Sequence, residues 1–207
     1  TIVAIGAPGH DDNNNATNSG HVRVYQYSEH SETWTQLGGD IDGQATNDQL
    51  GYSVALNGNG TVVAVSSPAY DNNQGYVSIY RYYEQSTSWT QIGDNIDGIN
   101  ESDDIFDGTA YTGYKPNKLI ALNDNGNIVA IGAKDNTGNG TSSGHVRIYE
   151  FNGTSWNQLG QDIDGEAAFD LSGTSLSLSS DGNSIAIGAY ANDGNGSNSG
   201  HVRVYNF

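Results

Sequence analysis

Carboxylates and carboxamides crowd into short loops of this chain, and oxygen ligands of that kind are what a hard cation such as calcium requires. The runs Asp11-Asp12-Asn13-Asn14-Asn15, Asp135-Asn136-Thr137-Gly138-Asn139 and Asn192-Asp193-Gly194-Asn195-Gly196 carry them. Asp11, Asp12, Asp135, Asn192, Asp193 and Asn195 are therefore candidate calcium ligands. None of the runs has the regular ligand spacing of an EF-hand loop. The competing reading is a solvated acidic rim.

A second group occurs only once. The stretch from about Asn100 to Pro116 contains an 11-residue excess over the corresponding stretches elsewhere in the chain, and it holds Asp103, Asp104, Phe106, Asp107, Tyr111, Tyr114 and Lys115. Acidic and aromatic side chains on one long loop suit a basic peptide or a sugar, and long loops on rigid scaffolds often carry recognition. The bland alternative is a tolerated insertion. Two further sets are repeated: His21, His145 and His201 each precede Arg23, Arg147 and Arg203 by two residues, and Trp34, Trp89 and Trp156 recur in a common context. A group present in every unit builds the unit more often than it acts, so each Arg is expected to pair with an acid or carbonyl of its own or an adjacent unit. The Trp residues are expected in packing between units, with stacking on a glycan as the alternative.

The elements that position these residues follow from internal repetition. GHVRVY at Gly20 to Tyr25 returns as GYVSIY at Gly75, GHVRIY at Gly144 and GHVRVY at Gly200, with spacings of 55, 69 and 56. Trp-x-Gln-(Leu/Ile)-Gly-x-x-Ile-Asp-Gly begins at Trp34, Trp89 and Trp156, and an apolar run recurs as Ile2 to Ala7, Val62 to Ser67, Ile128 to Ala133 and Ile185 to Ala189. In the second unit these predict strands A (Tyr52 to Leu56), B (Val62 to Ser66), C (Tyr76 to Tyr82) and D (Trp89 to Ile92). Asn-Gly or Asp-Gly turns join A to B at Asn59-Gly60, Asn125-Gly126 and Asp181-Gly182. Strand B is apolar on both faces of its pleat, so both faces must be covered.

The expected fold is all-β: a β-propeller of four-stranded antiparallel blades. The units are roughly 1–43, 44–98, 99–165 and 166–207, about four blades within one domain, the first lacking strand A and the last lacking strand D. Such an arrangement reads as an arc of a larger propeller, or as a chain that closes by self-assembly through its incomplete terminal blades.

GTSLSLSSDGNSIAIGA (Gly173 to Ala189), GYSVALNGNGTVVAVSSP (Gly51 to Pro68) and IVAIGAP (Ile2 to Pro8) resemble the FG-GAP repeats of integrin α-subunit-type propellers. The resemblance implies an extracellular or cell-surface module for adhesion or ligand recognition. One departure matters. Calcium-binding members of that family carry an Asp-x-Asp-x-Asp-Gly loop between the first two strands, whereas Asn57 to Gly60, Asn123 to Gly126 and Ser179 to Gly182 each offer at most one carboxylate. The family's calcium site does not transfer to these hairpins.

Charge sharpens the reading. There are 24 acids against 7 bases, a net charge of −17, and only 35% of residues are hydrophobic. Antiparallel connectivity sends the B–C and D–A loops to one end of each blade, and 18 of the 24 acids fall there. Such a surface disfavours nucleic acid and anionic membranes, and no apolar run is long enough to insert in a membrane. Zero Cys removes disulfides and thiolate chemistry. No Gly-x-Ser-x-Gly, His-Glu-x-x-His or phosphate-loop motif is present, so the chain is expected to be non-enzymatic. The expected partner is a protein or a glycan, the latter making the chain lectin-like. Asn-x-Ser/Thr sequons at Asn15, Asn59, Asn100, Asn139, Asn152 and Asn195 would permit N-glycosylation, in numbers close to chance.

Overall fold

A computed structural model describes residues 1–11, 17–69, 75–98 and 119–207. The described chain forms four consecutive antiparallel sheets and no helix, hence none long and apolar enough to cross a membrane. The first sheet holds β1 (Ile2–Ala7), β2 (His21–Ser28), β3 (Thr33–Gln36) and β4 (Ile41–Asp42). In the second are β5 (Val54–Leu56), β6 (Val62–Ser67), β7 (Tyr76–Tyr83), β8 (Ser88–Gln91) and β9 (Ile96–Asp97). The third contains β10 (Ile120–Leu122), β11 (Ile128–Ala133), β12 (His145–Phe151), β13 (Trp156–Gln158) and β14 (Ile163–Asp164), and the fourth β15 (Ser175–Leu178), β16 (Ser184–Ala189) and β17 (His201–Asn206). These are propeller blades; among the described residues the first has no strand A and the last no strand D.

One detail departs from the expected blade. Strand D is broken into two pieces that both pair with strand C: β3 lies along the far half of β2 (Tyr27 opposite Trp34) and β4 along its near half (Val22 opposite Ile41, His21 opposite Asp42). The same split recurs as β8 with β9 and as β13 with β14. The Gly-x-x of the repeat forms the break, because Gly38, Gly93 and Gly160 sit at φ of 75°, 73° and 77° and cannot continue a strand.

Packing between blades supplies the core. Val22, Val24 and Ile41 of the first blade meet Val63, Val65 and Leu50 of the second, and Val77, Ile79 and Ile96 of the second meet Val129, Ile131 and Leu119 of the third. Val146 and Ile148 of the third then meet Ile185 and Ile187 of the fourth. Each apolar row thus faces the next blade, at roughly 25 cal/mol per Å² of area removed from water.

Polar joints fix the stacking. The Trp89 indole N–H donates to the Leu37 carbonyl of the preceding blade at 2.7 Å, and Trp156 donates to Ile92 at 2.8 Å. Trp34 has no preceding blade among the described residues and is 49% exposed. At the A–B turns, the Asn57 side-chain amide donates to the Asp124 carbonyl at 3.0 Å, and the Asp124 amide donates to Ser180 at the same distance. These turns stitch neighbouring blades and do not gather carboxylates.

The break glycines give an internal control. A Cβ on Gly93 would lie 2.8 Å from the Trp156 ring, whereas one on Gly160 would meet nothing within 4 Å. Gly160→Ala should therefore cost only the left-handed strain, about 1 kcal/mol. Gly93→Ala should cost about 1 to 3 kcal/mol more, because the indole must also shift. Urea unfolding of the two variants measures the difference.

Candidate functional site

The B–C and D–A loops lie at one end of the blades, and among the described residues backbone pairing ties the B–C loops of the first and third blades to the D–A loops that follow. Gly20 bridges Leu50, the Asn47 amide donates to the Thr17 carbonyl at 2.8 Å, and Leu50 donates to Ser19 at 2.9 Å. The third blade repeats this, with Gly144 bridging Ser172 and Phe169 donating to Thr141 at 2.7 Å. Gly20 and Gly144 are both at φ 75°, and an added Cβ on either would collide with the opposing backbone, so only glycine admits the approach. The loop face is therefore a fixed platform.

Three carboxylates mark this face in register. Asp42, Asp97 and Asp164 end β4, β9 and β14, each opposite the first residue of strand C, and all three are exposed. Phe169 lies in the D–A loop that follows Asp164 and is 64% exposed. In the preceding zipped loop the equivalent position is Asn47, at nearly the same φ. Tyr52 and Tyr190 are also exposed on these loops.

The repeated Arg residues lie two positions further along strand C. Arg23 grips Asp40 with Nε and Nη2, at 2.7 to 3.0 Å, and Gln36 donates to the same carboxylate at 2.6 Å. Arg147, Asp162 and Gln158 copy the arrangement in the third blade. In the second blade both charges vanish together, Ser78 replacing Arg and Asn95 replacing Asp. Arg203, whose blade has no strand D among the described residues, pairs instead with Glu166 of the adjacent loop. Hydrogen bonds from Arg23 and Arg147 hold the Asp40 and Asp162 carboxyls below the usual carboxylate range, with Gln36 and Gln158 adding to the effect.

The expected calcium ligands are not brought together. Asp11 accepts the Asn18 amide, Asp193 accepts the Asn198 amide, and Asp135 pairs with Lys134. The Asn192 side chain bridges the Gly194 amide and Asp170, and Asn195 is exposed. They belong to three different blades, and Asp12 lies outside the described residues. A tighter grouping forms elsewhere: His21, Asp40 and Asp42 offer ligand atoms within 4.8 Å of one another. His21 is 6% exposed, its Nδ1 has no hydrogen-bond partner, and the unrepeated His10 ring sits edge-on at 4.2 Å. Burial, then His10 and Arg23, push the His21 pKa down. In the sequence His21 reads as a repeated blade residue, matched by His145 and His201. The signal available was His10, where other blades carry Asn136 and Asn192.

Asp103, Asp104, Phe106, Asp107, Tyr111 and Tyr114 lie outside the described residues, as do Asn15 and Asn100. Asn59, Asn139, Asn152 and Asn195 are exposed. The Asn139 amide nitrogen donates to both Gly165 and Glu166 carbonyls, so a glycan there would remove one of those bonds.

With sheets, stacking and loop face in place, the class is a β-propeller. No protein-family model matches the sequence, and no curated protein matches it. Among solved structures, the chain is similar to a periplasmic gluconolactonase of Pseudomonas aeruginosa, at 12% identity and a TM-score of 0.54, over 100% of this chain and 50% of that one. It is also similar to KlAtg21, solved in complex with the coiled-coil of AgAtg16, at 9% identity and a TM-score of 0.54, over 91% of this chain and 49% of that one. TolB from Acinetobacter baumannii matches at 10% identity and a TM-score of 0.45, over 91% and 35%. The chain thus spans half or less of each of these solved chains, and none of the three is an integrin. The likeness is one of fold. It corrects the expectation of a non-enzymatic chain: a gluconolactonase has this same fold, so the absence of familiar catalytic motifs does not exclude an enzyme.

The sign of the pH dependence follows from the lowered pKa values. His21, lowered from 6.5, binds protons more readily when unfolded, so stability should begin to fall below about pH 6.5. Asp40 and Asp162 contribute stability above the ordinary carboxylate range and lose it as pH falls through their depressed folded values. Thermal unfolding should show two acid-labile steps, and His21→Gln should remove the first while leaving the second.

Proposed function

We propose that this propeller arc is an interaction module whose B–C and D–A loop face binds a basic protein partner. The observation that carries the reading is the row of exposed Asp42, Asp97 and Asp164, with the loops beside the first and third blades zipped by backbone pairing and an exposed Phe169 in the loop after Asp164. An aromatic anchor within a charged rim is the usual anatomy of a protein-binding patch. Among the described residues, Arg23, Arg147, Arg203 and Lys134 are each paired with an acid. KlAtg21, of the same fold, is a precedent for a propeller holding a coiled-coil. The adhesive, extracellular role implied by the FG-GAP resemblance is one form this reading takes.

The carbohydrate-binding alternative draws on the exposed aromatics Tyr52, Phe169 and Tyr190. A cation has its best seat at His21, Asp40 and Asp42, where an imidazole ligand favours zinc over calcium. Arg23 competes for Asp40 there. Unfolding temperature with zinc, with calcium and with EDTA tests the cation, and indifference to all three removes it.

The partner reading is tested by titrating an oligolysine peptide carrying one Trp. Affinity should fall steeply with salt. It should drop at least tenfold, about 1.4 kcal/mol, in the triple variant Asp42→Asn, Asp97→Asn, Asp164→Asn. Peptide binding that the triple variant leaves unchanged, or none at all, overturns the reading. Retained signals on a glycan array would then favour the sugar.

A further inference from the structure

The first blade holds a set of side chains that no other blade repeats in full: His10, His21, Asp40 and Asp42. His10 stands where the third and fourth blades carry Asn136 and Asn192, and the backbone around the three is alike. The His10 amide donates to the Ala7 carbonyl at 3.1 Å, and its carbonyl accepts the Gly20 amide at 3.0 Å. Asn136 and Asn192 make the matching bonds, to Ala133 and Ala189 and from Gly144 and Gly200. In those blades the carboxamide closes its own loop, accepting the Gly138 and Gly194 amides. An imidazole in the same frame lies instead against the first ring of strand C, with the His10 and His21 centroids 4.2 Å apart.

His21 anchors the set. It is 6% exposed, and its Nδ1 is buried with no hydrogen-bond partner among the described residues, a costly condition for a polar atom. One ligand atom each of His21, Asp40 and Asp42 lie within 4.8 Å of one another, and among the described residues no other such trio does. The third blade has the same types at His145, Asp162 and Asp164, but there Nδ1 faces Asp162 at 3.6 Å and no second imidazole is present. Asp40 is already held by Arg23 and Gln36, which leaves His10 as the natural third ligand beside His21 and Asp42. Two imidazoles and a carboxylate suit zinc and similar transition ions, whereas calcium and magnesium take oxygen shells.

We propose that His10, His21 and Asp42 bind a zinc-class divalent ion, and that the bound ion weakens the acidic loop face for a basic partner. This adds His10 to the cation seat named above, and the second half rests on the partner reading. Asp42 begins the row that continues with Asp97 and Asp164, so an ion on it sets positive charge at that end of the row. The ion also ties the B–C loop, through His10, to β2 and β4.

Calorimetric titration of the intact chain with zinc, at neutral pH and without peptide, should show one site stronger than any other. His10→Asn should weaken it by at least the roughly tenfold that even outer partners of a metal contribute, and His21→Gln should do the same. His145→Gln should leave it unchanged. His10 is exposed and Asn occupies its place in two other blades, so that variant should keep its fold, which circular dichroism checks. Absence of zinc binding overturns the site. So does binding that His10→Asn leaves intact, which would put the ion on loop acids alone. The effect on the partner is read separately: saturating zinc should lower oligolysine affinity in the parent chain and not in His10→Asn. Zinc that binds without changing that affinity overturns the second half alone. A chain that takes zinc but no peptide in metal-free buffer overturns the second half together with the partner reading, and leaves the metal site standing.

Discussion

Everything in this chain depends on sheets that are apolar on both faces. Residues 62–67 of β6 are all buried, and so are residues 128–133 of β11, which is possible only for strands covered above and below. A sheet of that kind cannot end a structure against water. It has to be followed by another, and the repeat of the sequence is the covalent consequence of that requirement. This is why a chain with only 35% hydrophobic residues folds: the apolar residues are placed so that each row is shared by two blades.

Close stacking dictates the rest of the composition. Blades that approach at backbone distance need glycine where they cross, as at Gly6 against Gly51 and Gly20 against Leu50, and this accounts for much of the 28-glycine content. The same approach zips the loops at one end and fixes the Asp42, Asp97 and Asp164 carboxylates at a common level. Rigidity of the scaffold and display of charge therefore have one cause. Acids placed there remain near water, while the buried Asp48 and Asp170 are met by the Gln44, Ala45 and Ala167 amides and by Asn192, and the planar forks of Arg23 and Arg147 satisfy two oxygens each of Asp40 and Asp162.

The fold was legible because repetition is a property of sequence: strands A, B and C lie within two residues of where GxS, the apolar run and GHVRVY put them. The split of strand D was not legible as such, because Gly-x-x inside an otherwise β-like run can mark a bulge, a bend or a break. For the site, the direction of charge could be read from connectivity alone. The grouping of His21 with Asp40 and Asp42 could not, because it joins residues about twenty apart through the register of β4 on β2. Conversely, the loop runs around Asp11 and Asp193 looked like ligand sets, yet their oxygens cap amides of the same loop. Asx turns and cation loops draw on the same residues, so composition does not separate them.

Substitutions within the repeat carry further meaning because each blade is a control for the others. Where Arg and Asp are replaced, they go together, to Ser78 and Asn95, as a pair that bonds within one blade requires. Where a position keeps its residue type but loses its cover, as at Ile5, Val202 and Val204, the sequence still specifies a packing surface that the described residues do not supply. An isolated exposed valine is ordinary on a protein surface. Two on one strand, in register with rows that are buried at every internal boundary, reproduce the face of an interior. Full burial of each would contribute about 1.5 to 3 kcal/mol. The ends of this arc are thus built by the same rule as its middle, and the rule requires a neighbour on either side.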